Sequence, residues 1–450
     1  MRRSAAEMPP LGRTPLSPAA SPPPAADHPV HPSGFIRLGM DTVSRRPFDI
    51  AVPEGIAQHV TLLGLTGSGK TTTAERLAEG AVAAGVGLVV IDAKGAGLRT
   101  AARRLAAVRG LDHHEVVPGA PGTLGYNPCA VGSRAQIADK LVSAFTHGAA
   151  GQVYRVIALE TISILVGILR ALDEPVTIRR LRRELDRTRM PGLAHRARDL
   201  TPELADDLAE LSRRGGVSAD AFEGMRARLG ALLHGEYGGI FDSDGPQLDL
   251  PTALASPGVT YISLPALAVS QDTALMARVL IQDLKQAAFL RLQQPDAAPA
   301  MLVLDEFAAL DDPEQINDLL RQAREARLGA VVSTQQLPDP RTAHALRGAL
   351  LGAGLLIAHR VGHDDAEAVA RVIGTERGVQ VTRTLSDASE PVRRSVRAVD
   401  RYAVDPNVMK QLATGEAVVL GVAGGRRVAT IRVLRPELPG EPWPESAGEP

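Results

Sequence analysis

The sequence predicts an α/β protein, a mostly parallel β-sheet interrupted by an all-α insertion. Three observations carry that prediction. Short continuous apolar runs recur along the chain, the pattern of parallel strands buried on both faces. Stretches of helical periodicity alternate with those runs. Between about Ser133 and Met225 the strand pattern disappears and only helical periodicity remains.

In chain order, residues 1–34 are rich in Pro, Ala and Ser, as in Pro22-Pro23-Pro24, and are expected to be disordered. A first core segment covers 35–130. In it, His59 to Leu63 reads as a strand, a glycine loop follows, and Thr71 to Ala84 reads as a helix. Gly87 to Ile91 is a second buried strand, ending at Asp92. The all-α insertion is placed at 131–245, with Ile157 to Leu165 as its most periodic stretch and breakers at Pro175 and Pro191-Gly192. The core resumes at 246–435 with strands at Val259–Leu264, Ala300–Leu304, Ala330–Ser333 and Gly354–Ala358. A late pair lies near Glu416–Leu420 and Arg427–Val433, and residues 436–450 form a second tail expected to be disordered. Helices between the first four strands of this segment imply parallel pairing.

Composition narrows the functional classes. Aromatic residues are only 3% of the chain, so the cores must be aliphatic. The formal net charge of −1 supplies no global attraction for nucleic acid, and any DNA contact needs a local basic surface. One such surface is offered by Arg179, Arg180, Arg182, Arg183, Arg187 and Arg189, which put much of one helix face in positive charge. A solvated helix face is the plainer reading of the same residues. A single cysteine, Cys129, excludes an intramolecular disulfide and fits a reducing cytoplasm. No window holds the roughly 18 uninterrupted apolar residues of a membrane helix, the nearest being Gly348 to Ala358. A cytoplasmic protein is expected.

The strongest chemical signal is Gly64-Leu65-Thr66-Gly67-Ser68-Gly69-Lys70-Thr71, a complete G-x-x-x-x-G-K-[ST] phosphate loop between a strand and a helix. Glycines allow the backbone N–H groups of Gly64, Thr66, Gly67, Ser68 and Gly69 to curl around phosphate oxygens. Lys70 reaches the β- and γ-phosphates, Thr71 offers a hydroxyl to Mg²⁺, and Thr72 continues the helix whose positive end faces the anion. The nucleotide expected is ATP with Mg²⁺. An apolar strand then ends in Asp305-Glu306, where Asp305 would hold the metal and Glu306 would polarise water. One strand later, Gln335 at the tip of Val331-Val332-Ser333-Thr334-Gln335-Gln336 is the expected γ-phosphate sensor, with Thr334 and Gln336 as alternates. Asp92-Ala93-Lys94 ends the second strand and is a weak signal by itself.

Together these residues resemble the coupling-protein ATPases of type IV secretion and conjugation (the TraG/TraD-like proteins) in the FtsK/HerA superfamily of DNA-pumping motors. The shared run is Gly64 to Thr71, Asp92-x-Lys94, Asn127-Pro128, Asp305-Glu306-Phe307-Ala308 and the segment from Arg324 to Gln335-Gln336-Leu337. The resemblance spans roughly residues 35 to 435. It implies a RecA/FtsK-like P-loop NTPase fold and a DNA-stimulated ATPase, assembled as a homo-hexameric ring. Such a ring pumps or recruits single- or double-stranded DNA, or a nucleoprotein, for transfer. Its implied partners are a relaxase and a separate membrane-anchored channel protein able to hold it at the inner face of the membrane. Arg324 matches a family arginine acting near the γ-phosphate, and Arg360 is the second candidate, delivered from a neighbouring subunit.

Two rivals stay open, a nucleotide-gated adaptor that is not a motor and a HerA-like repair helicase. Departures from the family pattern are the lack of leading membrane helices, of room before residue 60 for a HerA-type barrel, and of a winged-helix module after 435.

Overall fold

The computed structural model describes residues 30–31, 35–51, 58–94, 97–145, 151–265, 270–294, 296–306, 312–383, 394–421 and 427–436. Its strands in chain order are β1 Val30–His31, β2 Phe35–Asp41, β3 Pro47–Ala51, β4 Val60–Leu63, β5 Gly87–Asp92, β6 His113–Val116 and β7 Val259–Ser263. They continue as β8 Ala300–Asp305, β9 Leu328–Thr334, β10 Leu355–Ala358, β11 Thr375–Arg383, β12 Arg394–Tyr402, β13 Glu416–Gly421 and β14 Arg427–Val433.

Seven strands form the parallel core, side by side in the order β10-β4-β9-β8-β5-β7-β6. From β10 the sheet continues antiparallel through β13, β14 and β2, and β2 also carries β1 and β3. β11 and β12 make a separate two-stranded hairpin.

The apolar runs are continuous because each parallel strand feeds two cores. In β8, Met301 and Val303 join the core on one face, while Ala300, Leu302 and Leu304 join the other. β5 divides likewise, Leu88 and Val90 against Val89 and Ile91. Alternate residues of a strand point to opposite faces, so burial on both sides demands an apolar residue at every position. Each fully buried Leu, Ile or Val side chain contributes about 1.5–3 kcal/mol. One face is covered by helices Lys70–Ala83 and Arg99–Arg109, and the other by Ser270–Leu292, Pro313–Glu325, His344–Leu351 and His363–Ile373. Gly80 lets the first of these lie against β2. A Cβ there would sit 2.2 Å from Cγ1 of buried Ile36.

Between β6 and β7 the described residues are helical, from Arg134–Ala144 to Leu250–Ala255. The chain enters and leaves this region side by side: Gly125 and Gln247 form an isolated parallel bridge, and Leu248 N–H donates to the Gly125 carbonyl at 2.8 Å. Helix Arg134–Ala144 is pinned to the core helix Ser270–Leu292 by a buried charge pair. Lys140 binds Asp283 Oδ1, and Tyr126 donates to Asp283 Oδ2 at 2.9 Å. Burial raises the Asp283 carboxyl against the opposing pull of Lys140.

Several expectations are corrected. Helix Gln152–Ala171 is long and apolar enough, by length and composition, to cross a membrane, with mean hydropathy 1.6 and 44% of its window buried. A search for uninterrupted apolar residues passes over it because Arg155 and Glu160 interrupt the run. Its second half, including Ile162, Leu165, Val166 and Leu169, lies in the core of the helical region. Val30–His31 pairs with β2 inside the stretch expected to be disordered. The rest of that stretch, and 437–450 of the other tail, lie outside the described residues, as do Phe307 and Ala308.

Candidate active site

Five adjacent strands bring their carboxyl ends to one place. The phosphate loop leaves β4, Gln335 follows β9, Asp305 and Glu306 end β8, Lys94 follows β5, and His359 with Arg360 follows β10. β9 lies between β4 and β8 and pairs with both. This insertion of one strand between loop and acids is why the residue at its tip faces the phosphate loop.

The loop itself is held by its glycines and by its surroundings. Gly67 and Gly69 adopt φ +74° and +108°, which only glycine takes without strain. A Cβ on Gly69 would also meet the backbone of Gly415 at 3.0 Å, and one on Gly64 would meet Ser68 Oγ at 2.5 Å. The turn before β13 braces the loop from outside. Gly415 N–H donates to the Ser68 carbonyl at 3.0 Å, and the Thr414 hydroxyl donates to the Gly67 carbonyl at 3.1 Å. Leu65 N–H donates to the Arg360 carbonyl at 2.8 Å, tying the start of the loop to the end of β10. With carbonyls engaged outward, the helix Lys70–Ala83 begins directly at Lys70 and offers unpaired N–H groups to an anion.

Lys70 is buried, and its ammonium donates to the Gly64 carbonyl and lies 3.6 Å from Glu306 Oε1. Burial pushes its pKa down, against the nearby carboxylates. Thr71 and Thr72 are half-buried in the first turn. The Thr66 hydroxyl donates to Gln335 Oε1 at 3.1 Å, whereas Gln336 is exposed and Thr334 turns its hydroxyl to the Gln336 carbonyl.

Asp305 is buried, and its Oδ2 has no hydrogen-bond partner among the described residues. Burial raises its carboxyl above the usual range. A buried carboxylate oxygen left without a donor fits a cation, and Thr71 and Asp305 are an oxygen-donor set of the kind Mg²⁺ takes. Glu306 has φ +55°, a left-handed conformation that costs a glutamate about 1 kcal/mol. Strain of that kind at a strand end redirects the side chain, and here Oε1 lies 2.7 Å from Lys94 Nζ.

Two residues at the site escaped the sequence reading or stood as faint signals. Lys94 was weak in sequence because Asp before a turn is common. Burial alone would lower its pKa, but the close negative charge of Glu306 outweighs burial and raises it. His359 gave no signal, being one histidine after an apolar strand. It is fully buried, with Nδ1 2.8 Å from the Glu416 carbonyl and Nε2 2.8 Å from the Thr73 hydroxyl. A carbonyl can only accept, so Nδ1 carries the proton and Nε2 accepts from Thr73. Burial, with Lys70 nearby, lowers the His359 pKa to about 4, and the ring is neutral at pH 7.

The two arginines do not come together. Arg360 is half-buried beside its own phosphate loop. Arg324 is exposed in the last turn of helix Pro313–Glu325, which runs from the acidic end of β8 back to the start of β9. Its charge acts on His59, which precedes β4 at the opposite edge of the sheet. A helix of this length puts Arg324 roughly 18 Å from the end nearer the site. The basic helix is also less free than its sequence implies. Arg179 pairs with Asp242, Arg180 with Glu174, and Arg183 with Glu184 at 3.0 Å. Arg187 donates to the Ser212 carbonyl at 3.1 Å.

The fold is shared with the conjugative coupling protein TrwB and with VirB4. The bacterial conjugative coupling protein TrwB (its TrwBdeltaN70 form) superposes with TM-score 0.62 at 17% identity, covering 89% of each chain. A second structure, plasmid coupling protein TrwB in complex with ADP and Mg²⁺, gives 0.59 at 18% identity, again covering 89% of each. VirB4 of Thermoanaerobacter pseudethanolicus gives 0.53 at 15% identity, over 91% of this chain and 98% of that one. A family model described as the central domain of the helicase HerA matches residues 36–96. No curated protein sequence matches the chain.

Proposed function

We propose that this chain is an ATP-hydrolysing, DNA-translocating motor of the conjugative coupling-protein type, pumping or recruiting DNA or a nucleoprotein for transfer. The observation that carries this reading is the phosphate loop, Asp305, Glu306 and Gln335 converging on one edge of a fold shared with TrwB across 89% of both chains.

ATP is held by the loop amides and Lys70, and Thr71 with Asp305 hold Mg²⁺. The metal supplies charge that neutralises the phosphate oxygens. Lys70 adds a buried cation, worth more in this dry setting than in water. Glu306 orients the attacking water and takes its proton, which favours hydrolysis over transfer to a small acceptor. Gln335 links the loop to the tip of β9 and reports the state of the terminal phosphate.

Charge from outside completes the site in a homo-hexameric ring. Arg324 takes that role, its place at the far edge of the sheet being remote from its own loop. Arg360, anchored to its own loop, acts within the subunit. The match to the HerA central domain covers the loop segment common to such motors, and so does not favour a repair helicase.

ATP hydrolysis measured with and without single- and double-stranded DNA tests the reading. A severalfold rise with DNA is expected, and an ATPase indifferent to both DNA forms would favour the adaptor.

A further inference from the structure

Among the described residues, Lys94 is a charged group at the site that the hydrolytic scheme leaves without a task. Its position is built. The Asp92 carboxylate accepts Lys94 N–H at 2.9 Å through Oδ1, and through Oδ2 accepts Leu98 N–H at 3.1 Å and the Tyr261 hydroxyl at 2.9 Å. Asp92 is itself fully buried, so the turn after β5 is fixed from below. Lys94 leaves that turn beside the end of β8, where Asp92 and Asp305 are register partners.

Two ammonium groups therefore converge on one oxygen. Lys94 Nζ lies 2.7 Å and Lys70 Nζ 3.6 Å from Glu306 Oε1. Like charges so close are tolerated only while an anion lies between them. In this arrangement the anion is the general base itself. A carboxylate oxygen paired with an ammonium is not open to an attacking water at the same position. Hydrolysis thus requires Lys94 to leave Glu306. The Lys94 side chain is about a third exposed while those of Lys70 and Glu306 are buried, so Lys94 is the member able to move.

We propose that Lys94 discriminates ATP from ADP: it holds Glu306 when no triphosphate is present and passes to the terminal phosphate when ATP enters, releasing Glu306 to bind water. This rests on the ATPase reading above. A triphosphate brings, next to Lys70, an anionic group that a diphosphate lacks, and that group replaces Glu306 as the anion between the two lysines. Base release is then coupled to the presence of a cleavable phosphate.

The test is equilibrium binding of a non-hydrolysable ATP analogue and of ADP, each with Mg²⁺, to the parent, Lys94→Gln and Lys94→Arg proteins, with thermal melting as the control for folding. Lys94→Gln should bind the analogue about tenfold or more weakly, the scale of one charge-assisted hydrogen bond. Its ADP affinity should stay within about twofold of the parent, and Lys94→Arg should recover most of the loss. Equal weakening for both nucleotides, or no change in either, overturns the proposal. A parent protein that binds neither nucleotide would sink the ATPase reading instead.

Discussion

The Thr66 hydroxyl donates to Gln335 Oε1 at 3.1 Å, joining the phosphate loop to the tip of the strand inserted between that loop and the acids. The bond crosses from β4 to β9, whose other neighbour carries Asp305. A change at the nucleotide therefore reaches both the loop and the acidic strand through β9. Gln335→Ala should lower kcat about tenfold or more while KM for ATP stays within a few-fold, because the loop amides and Lys70 still bind. A rise in KM with kcat unchanged would make Gln335 a binding residue only.

Glu306→Gln should keep ATP binding and slow hydrolysis by at least about a hundredfold, the contribution of a positioned general base. Lys70→Ala should lose hydrolysis and most binding, since among the described residues no other buried cation lies at the loop. Single-turnover rates and nucleotide titrations of both variants separate the two roles. Equal loss of binding and turnover in Glu306→Gln would reduce that residue to a structural element.

His359 links the helix after the loop to the turn that braces it, and it does so as a neutral ring. Its pKa is lowered from 6.5 to about 4, first by burial and then by Lys70. The folded state thus binds the proton more weakly than the unfolded chain. The stability this contact contributes is fully present above pH 6.5 and is lost as pH falls towards 4. By pH 5 the loss is about 2 kcal/mol. His359→Gln, which cannot titrate, should start less stable at pH 7.5 but lose less between pH 7.5 and 5 than the parent. Denaturant melts at the two values check this, and parallel losses would show that the histidine is not buried neutral.

Mixing experiments assign the arginines. Arg324→Ala and Lys70→Ala proteins, each inactive, should partly restore ATP hydrolysis when combined. Intact loops on Arg324→Ala subunits then face intact arginines on their neighbours. Arg360→Ala mixed with Lys70→Ala should stay inactive, since Arg360 serves its own loop. Rescue of Arg360→Ala without rescue of Arg324→Ala, in rings shown to be mixed, would reverse the assignment.

Most of the parallel core was legible because burial on both faces forces continuous apolar runs, as in Gly87 to Ile91 and Met301 to Leu304. Asp305, Glu306 and Gln335 were legible because they end such runs and ligands lie at strand carboxyl ends. β2 and β3 stand in the antiparallel part of the sheet, alternate polar with apolar residues, and carry no such run. β6, with the sequence His-His-Glu-Val, has a single apolar residue in four. The β11–β12 hairpin is rich in arginine and reads as surface. Which subunit's nucleotide Arg324 serves was not legible, since a helix carries residues away from its start at about 1.5 Å each. His359 and Lys94 act through partners distant in sequence, Glu416 and Glu306, and such pairings are set by tertiary structure.

Translocation itself is tested most directly by triplex displacement. A labelled third strand is placed on duplex DNA, or an annealed oligonucleotide on single-stranded DNA, and its release is followed with Mg-ATP. ATP-dependent release by the parent is expected on at least one of the two tracks. None is expected with a non-hydrolysable analogue and none with Glu306→Gln. DNA-stimulated hydrolysis by the parent with no strand released on either track would contradict the motor and leave an ATP-gated adaptor.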